Sequence, residues 1–278
     1  VTARWRRGAV AAGLLVLLLA AAARAAPPDP ARLFADGVAA LERGAFDDAV
    51  DRFEALADGG FVHPDASFDR AAAYLGRARS PQARPGDLGQ VVAALTEAVS
   101  LRPEDAEAAR ALELVRAEIA NRRLRAGLEP GVVSVPIGRA VVGLLDEATW
   151  LVTAALGSLL AALGLGARAG TARPSVRLAG GVAASLGAGL LLVAGAFAAA
   201  AGHYRRGSTP AVVVVPQARL LTADGAPLDP KTALERRLAA PEGALLFVTE
   251  RRGRLLFVQW GTTRGHVASS DVRLLAER

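Results

Sequence analysis

Hydrophobic positions fall into three regimes along the 278-residue chain. From residue 31 to 126 they recur at helical spacing. Over 148–167 and 178–202 they form two apolar runs without a charged side chain. From 211 to 278 they come in short β-rich bursts between Gly- and charge-rich turns. Each apolar run is about the length an α-helix needs to cross a ~30 Å hydrocarbon core, where a helix satisfies its own backbone groups. The alternative is a pair of buried helices in a water-facing protein. Two runs of this length with no interior charge point instead to a two-span membrane hairpin.

The first regime predicts paired helices. Leu33, Gly37, Ala40 and Leu41 share one face, Gly44 breaks the helix, and Phe46, Ala49, Val50, Phe53 and Leu56 form a second face. Gly37 and Ala49 are small enough for two antiparallel helices to approach closely, with Phe46 and Phe53 filling the space between them. A second unit covers 66–103, with Ala71 and Tyr74 on its first helix. Its second helix carries Gly86, Leu88, Val91, Leu95 and Ala98, and Pro103 follows. Residues 78–85, with Pro81 and Pro85, read as a surface loop between the two. A third helix over 103–125 is amphipathic through Ala108, Leu112, Val115 and Ile119, and would cap the array.

Residues 127–147, with Gly131, Pro136 and Gly138, read as a linker. The connection 168–177 carries Arg168, Arg173 and Arg177, which predicts a cytoplasmic loop and places both flanks of the hairpin outside the cytoplasm. Small residues at four-residue spacing predict the helix–helix contact: Ser158, Ala162 and Gly166 against Gly181, Ser185 and Gly189. With no ionisable residue inside either span, the hairpin is expected to be an anchor rather than an ion path. Residues 1–25 read as a signal peptide: Arg4, Arg6 and Arg7, an apolar core over 9–23, then Ala23-Arg24-Ala25 as a small-x-small cleavage site. An uncleaved anchor is the other reading of that segment. In the tail, strands are expected at 211–215, 219–222, 244–249, 255–260, 265–268 and 272–275, with Asp229-Pro230 opening a helix over 231–238. Many short strands separated by turns argue for a small β-barrel.

Composition narrows the chemistry. A hydrophobic fraction of 52% with only 5% aromatic residues fits Ala-, Leu- and Val-rich helices and a membrane protein. The net charge of +6 is spread over the chain without a basic stripe interleaved with aromatics, which argues against nucleic-acid binding. The absence of Cys rules out disulfides, thiolate metal sites and thiol nucleophiles. His63, His203 and His266 offer no pair at metal-ligand spacing. Asp47, Asp48 and Asp51 read as a solvated helix face. With no Gly-x-Ser-x-Gly elbow and no phosphate loop, the expectation is a protein that is not an enzyme and uses no cofactor or metal.

The spacing G-x6-G-x-F-x2-A-x3-F from Gly37 to Phe53 resembles the first tetratricopeptide (TPR) repeat of a helical-repeat domain. The tail order, Glu242-Gly243, then Leu255-Leu256-Phe257-Val258, then Gly265-His266-Val267, resembles bacterial SH3-like domains. Together with Gly86-Asp87-Leu88-Gly89 running to Leu101-Arg102-Pro103, the module order over the whole chain resembles the BatE-type proteins of the Bat aerotolerance group. Two features depart from that pattern: His266 stands where the family usually has an aromatic, and 78–85 is inserted. The resemblance implies all-α TPR repeats over 31–126, a two-helix transmembrane hairpin, and an all-β SH3-like barrel over 211–278. It further implies a multi-domain scaffold of the bacterial inner membrane with both modules in the periplasm. The implied partners are von Willebrand-type Bat membrane proteins and a MoxR-type ATPase system.

By analogy with other repeats, Phe34, Val38, Leu41 and Glu42 from the first repeat and Phe68 and Ala72 from the second would face a partner-binding groove. The competing reading of Phe34 and Phe68 is that they are core. A different class of function, binding of peptidoglycan or its stem peptides by the terminal barrel, is the alternative. An envelope hydrolase is disfavoured for want of a nucleophile or metal-ligand set.

Overall fold

A computed structural model describes residues 29–129, 137–228 and 238–275. The expected signal peptide at 1–25 and nearly all of the expected helix over 231–238 lie outside those residues. The first module is built from helices α1 (Pro30–Glu42), α2 (Phe46–Asp58), α3 (Pro64–Ala78), α4 (Asp87–Leu101) and α5 (Ala106–Arg125). Local chemistry sets their starts. Asp29 accepts from the Ala31 amide at 3.1 Å ahead of Pro30, and His63 Nδ1 accepts from the Asp65 amide at 3.3 Å ahead of Pro64. Asp105 Oδ1 accepts from the amides of Glu107 and Ala108, both at 3.0 Å. These are N-cap bonds to donors that the helix itself cannot satisfy, and proline is tolerated at a first helical position because its missing N–H is not needed there.

Successive helices lie beside one another, and α1 also meets α3. Gly37 faces the ring of Phe53, where an added Cβ would sit 3.0 Å from the ring carbons. Phe46 behaves differently from the expectation that it fills the α1–α2 space. Its ring occupies the place where a side chain at Gly76 of α3 would go, so it joins one helical pair to the next. Helix α4 is buried around its circumference: Leu88, Val91, Val92, Ala93, Ala94, Leu95 and Ala98 are all buried. A helix apolar on every side must be enclosed on every side. Helices cover part of α4, and the C-terminal module covers the rest.

The linker contains a short helix, α6 (Ile137–Val142). Beyond it, α7 (Glu147–Ala169) and α8 (Pro174–Gly207) form an antiparallel hairpin whose helices run past the ends of both apolar runs. Asp146 caps α7 by accepting from the Thr149 amide at 3.1 Å. Both helices are long and apolar enough to cross a membrane, and only 17% and 22% of their most apolar stretches are buried. A soluble core would cover such helices; here Leu151, Leu156, Leu163, Leu186 and Leu192 are exposed. The open ends of the hairpin meet, with Glu147 Oε2 2.7 Å from Arg205 Nη2 and the rings of Trp150 and Phe197 4.7 Å apart.

The helix–helix contact does not use the expected stripe. Gly166 and Gly189 face open space, and Ser158, Ala162 and Ser185 are exposed. The seam is a neighbouring row, one or two residues away: Ala154, Gly157 and Gly164 on α7 against Gly180, Gly187, Ala194 and Ala198 on α8. A Cβ added at Gly157 would lie 2.7 Å from the Leu191 backbone nitrogen, and one at Gly187 would overlap the backbone of Ala161. Several rows of small residues with helical spacing exist in so Ala- and Gly-rich a sequence, and spacing alone does not choose between them.

The C-terminal module is an antiparallel five-stranded sheet in the order β6-β5-β4-β1-β7, with β2 and β3 paired as a separate ribbon. The strands are β1 (Thr209–Val213), β2 (Gln217–Arg219), β3 (Ala239–Pro241), β4 (Leu245–Arg252), β5 (Leu255–Trp260), β6 (Thr263–Ala268) and β7 (Val272–Leu274). Strand β2 lies slightly earlier than expected, and β3 is additional. Leu221 bridges to His266, which joins the end of the ribbon to β6. Only Ser208 separates α8 from β1, so the sheet is attached directly to the hairpin. In the full chain purified in detergent, Gly187→Leu is expected to destabilise the hairpin by ~1–3 kcal/mol through overpacking, while Gly189→Leu leaves it unchanged. Thermal unfolding followed by helical circular dichroism checks this; equal effects would move the seam back to the outer stripe.

Candidate functional site

The six expected partner-binding positions occupy the first helix of each helical pair. Phe34, Val38, Leu41 and Glu42 lie on α1, and Phe68 and Ala72 on the neighbouring α3. Phe34, Val38, Leu41 and Phe68 are half-buried and packed against the helical core; Ala72 is half-buried, and Glu42 is exposed. Phe34 also meets Phe53 edge-to-face at 6.0 Å. The apolar members thus contribute to the core with one side and remain accessible on the other.

The C-terminal module docks elsewhere, on α4 with further contacts to α2 and α5. The dock is built around Gly86-Asp87-Leu88-Gly89. Gly86 has φ +93°, a left-handed conformation that a glycine adopts without strain, and a side chain there would overlap the Val214 carbonyl. A Cβ at Gly89 would lie 2.5 Å from the Val213 carbonyl oxygen and 2.8 Å from the Val214 Cα. Backbone therefore meets backbone where the end of β1 crosses the start of α4. Around this contact, Val212, Val214, Leu245 and Leu275 join the helical core. Gly243, at φ +74°, brings the β3–β4 turn against Val92 and Ile119.

Polar groups pin the same junction. The first turn of α4 has no side-chain cap of its own, and Glu242 supplies one from the other module: Oε1 accepts from the Gly89 amide at 2.9 Å. A carboxylate at a helix N-terminus meets both unpaired N–H groups and the positive end of the helix dipole. Burial nonetheless pushes the Glu242 carboxyl above its ordinary range, against the pull of the Gly89 amide and the Arg122 guanidinium. On the far side, Glu54 of α2 links three elements. Its Oε1 accepts from the Tyr74 hydroxyl at 2.9 Å, its Oε2 accepts from Arg273 of β7 at 2.5 Å, and Arg70 lies 3.9 Å away. Burial and the adjacent Glu54 carboxylate push the Tyr74 phenol well above its usual value.

Two buried arginines complete the network. Arg70 donates to Glu97 at 2.5 Å, with the two side chains 3% and 8% exposed. Arg77 donates to Asp87 at 2.6 Å and to Asp47 at 3.1 Å. Asp47 also accepts from Arg84 at 2.8 Å, so it anchors the 79–86 connection rather than lying on a merely solvated face; Asp48 and Asp51 are exposed as expected. Removing one member of a buried pair typically costs ~3–5 kcal/mol, because the other charge is left without a partner. Sequence reasoning did not select Arg70, Arg77, Asp87 or Glu97. The available signal was their place on helices whose neighbouring positions are apolar.

Comparison with protein-family models, curated proteins and solved structures finds no match to the chain.

Because Glu242 has a raised pKa when docked, the docked state holds its proton to higher pH than the undocked state does. Docking should therefore tighten as pH falls from neutrality through the raised value, and weaken above it. Glu242→Gln keeps an acceptor and carries no charge. It is expected to increase protection of the Gly89 amide at neutral pH and to remove that pH trend. Hydrogen exchange of the full chain, corrected for intrinsic rates, reads both; the same trend in the Gln variant would contradict the assignment.

Proposed function

We propose that this chain is a membrane-anchored scaffold of a bacterial cell envelope, similar to BatE-type proteins, that binds protein partners on the face shared by α1 and α3. In this reading the helical module is a pair of TPR repeats with a capping helix, and the C-terminal module is an SH3-like barrel. The observation that carries the proposal is the half-buried state of Phe34, Val38, Leu41 and Phe68 on two adjacent helices, while the β-module docks on α4. Apolar side chains on neighbouring helices suit an amphipathic or extended segment, and exposed Glu42 adds a charge at the end of the row. The reading assigns the chain no enzymatic activity, cofactor or nucleic-acid partner. Its protein partners would be von Willebrand-type membrane proteins and an associated MoxR-type ATPase.

Placement in the membrane follows from the same proposal. The reading takes the closed end of the hairpin, where Arg168, Arg173 and Arg177 fall in one short connection, as the cytoplasmic side. The Glu147–Arg205 pair holds the open ends together, and the two modules touch, so both belong on the opposite, periplasmic side.

One experiment tests surface and side together. The chain has no native Cys, so Ala72→Cys introduces a unique thiol on the α1–α3 face. In spheroplasts, a membrane-impermeant maleimide cross-linker is expected to label it and to capture specific envelope proteins. Adding Phe68→Glu should abolish capture and leave labelling intact. Labelling only after the membrane is opened would refute the periplasmic placement, and capture unaffected by Phe68→Glu would refute the binding face.

A further inference from the structure

At the open end of the hairpin, α6, the last turn of α8 and strands β4–β6 enclose a polar cavity of about 260 Å³. Arg139, His203, Tyr204, Thr249, Gln259 and Arg264 line it, and among the described residues no carboxylate does. Arg139 is the central group. Its guanidinium lies 3.6 Å from the centroid of the Phe247 ring and 4.8 Å from that of Tyr204, and its Nη2 donates to Ser208 Oγ at 2.9 Å. No acidic side chain among the described residues pairs with it, and Glu147 at the start of α7 is engaged by Arg205 and Arg206.

A half-buried guanidinium without a carboxylate is unusual, because buried charges are generally paired. The two aromatic faces offset part of the cost through cation–π attraction. They also hold the planar fork rigidly, with donors to spare in the geometry that matches phosphate oxygens. Desolvation lowers the Arg139 pKa from its ordinary value, which is the electrostatic mark of an unmet charge. Arg264 and His203 add a second cation and a ring donor to the same cavity. The cavity is smaller than the ~300–1,000 Å³ typical of sites that enclose a whole small molecule. It suits one end of a larger ligand.

Its depth identifies the source of such a ligand. Tyr204 lies about 3 Å beyond Gly202, the end of the apolar run, at ~1.5 Å per residue. The headgroup layer of a bilayer extends roughly 5–8 Å beyond the hydrocarbon. We infer that this cavity is a phosphate-binding site that holds the headgroup of an anionic phospholipid at the junction of the hairpin and the β-module. The inference rests on the hairpin crossing a bilayer, but not on the partner face of α1 and α3.

The test uses the full chain, delipidated in detergent and titrated with phosphatidylglycerol under native mass spectrometry. One tightly held phosphatidylglycerol per chain is expected, with phosphatidylcholine retained poorly. Arg139→Gln should weaken retention by about tenfold or more, as expected for losing a desolvated charge contact. Arg139→Lys should restore only part of it, since lysine keeps the charge and loses the stacked fork. Arg110→Gln, exposed on α5 of the helical module, should retain wild-type binding, and far-ultraviolet circular dichroism shows whether each variant is folded. Competition with inorganic phosphate separates the sources: resistance identifies a lipid headgroup, and displacement at equal concentration identifies a soluble phosphate and overturns the lipid assignment. Equal retention by wild type and a folded Arg139→Gln, or equal losses for Arg139→Gln and Arg110→Gln, would overturn the site itself. If Ala72→Cys proves inaccessible from outside while this binding persists, the placement fails and the headgroup site stands.

Discussion

The structure depends on one backbone-to-backbone approach, where Val213 and Val214 cross Gly86 and Gly89 at the start of α4. No larger residue permits that distance without displacing a main chain. Once it is made, the remaining contacts become compatible. Helix α4 gains cover on its open side, Glu242 reaches the Gly89 amide, and Arg273 reaches Glu54. The first and last modules, separated in sequence by residues 126–208, therefore share a hydrophobic core that includes Val212 and Leu275. Because only Ser208 separates α8 from β1, the dock also positions the helical module relative to the hairpin.

This arrangement divides the surface by chemistry. The hairpin presents leucines and valines, which suit lipid. Its open end presents a cavity with two arginines and no acid among the described residues, which suits a phosphate. The α1–α3 face presents half-buried phenylalanines and aliphatics, which suit a peptide segment. In the proposed scaffold reading, the docked pair of modules would hold anchor and binding face in a defined relation more firmly than two domains on separate tethers. The buried Arg70–Glu97 and Arg77–Asp87 pairs join helices within the first module.

Much of the fold was legible in the sequence because its signals are local. Periodicity located the helical segments, glycine and proline marked their ends, and charge-free runs marked the hairpin. The misses share a different origin, since they depend on what an element meets. In Asp87-Leu88-Gly89-Gln90-Val91-Val92, apolar residues spread around the helix, which signals all-round burial but does not say that a strand from residue 209 onward supplies the cover. The small-residue seam runs one or two positions from the expected row because an Ala- and Gly-rich helix offers several equivalent rows. Phe46 fits equally well between α1 and α2 or against Gly76, and only packing selects Gly76. Strand β3, three residues ending in Pro241, is too short for alternation to register. Asp47 shares its helix turn with exposed Asp48, and what sets it apart is its pairing with Arg77 and Arg84 outside its own helix. Among the candidate binding residues, helical spacing placed Phe34, Val38 and Leu41 on one row. Their half-buried state arises from contact with α2 and α3.

The most direct measurement of the dock joins Asp58, at the end of α2, to Arg251 of β4 across the cleft that both residues line. In the cysteine-free full chain, Asp58→Cys with Arg251→Cys leaves the Gly86, Gly89 and Glu242 contacts untouched. A short bismaleimide should link the pair rapidly within one chain, and Gly89→Leu in the same background should slow that reaction strongly. A pair that reacts no faster than two thiols on unconnected modules, or a rate indifferent to Gly89→Leu, would show that the modules are not docked through α4.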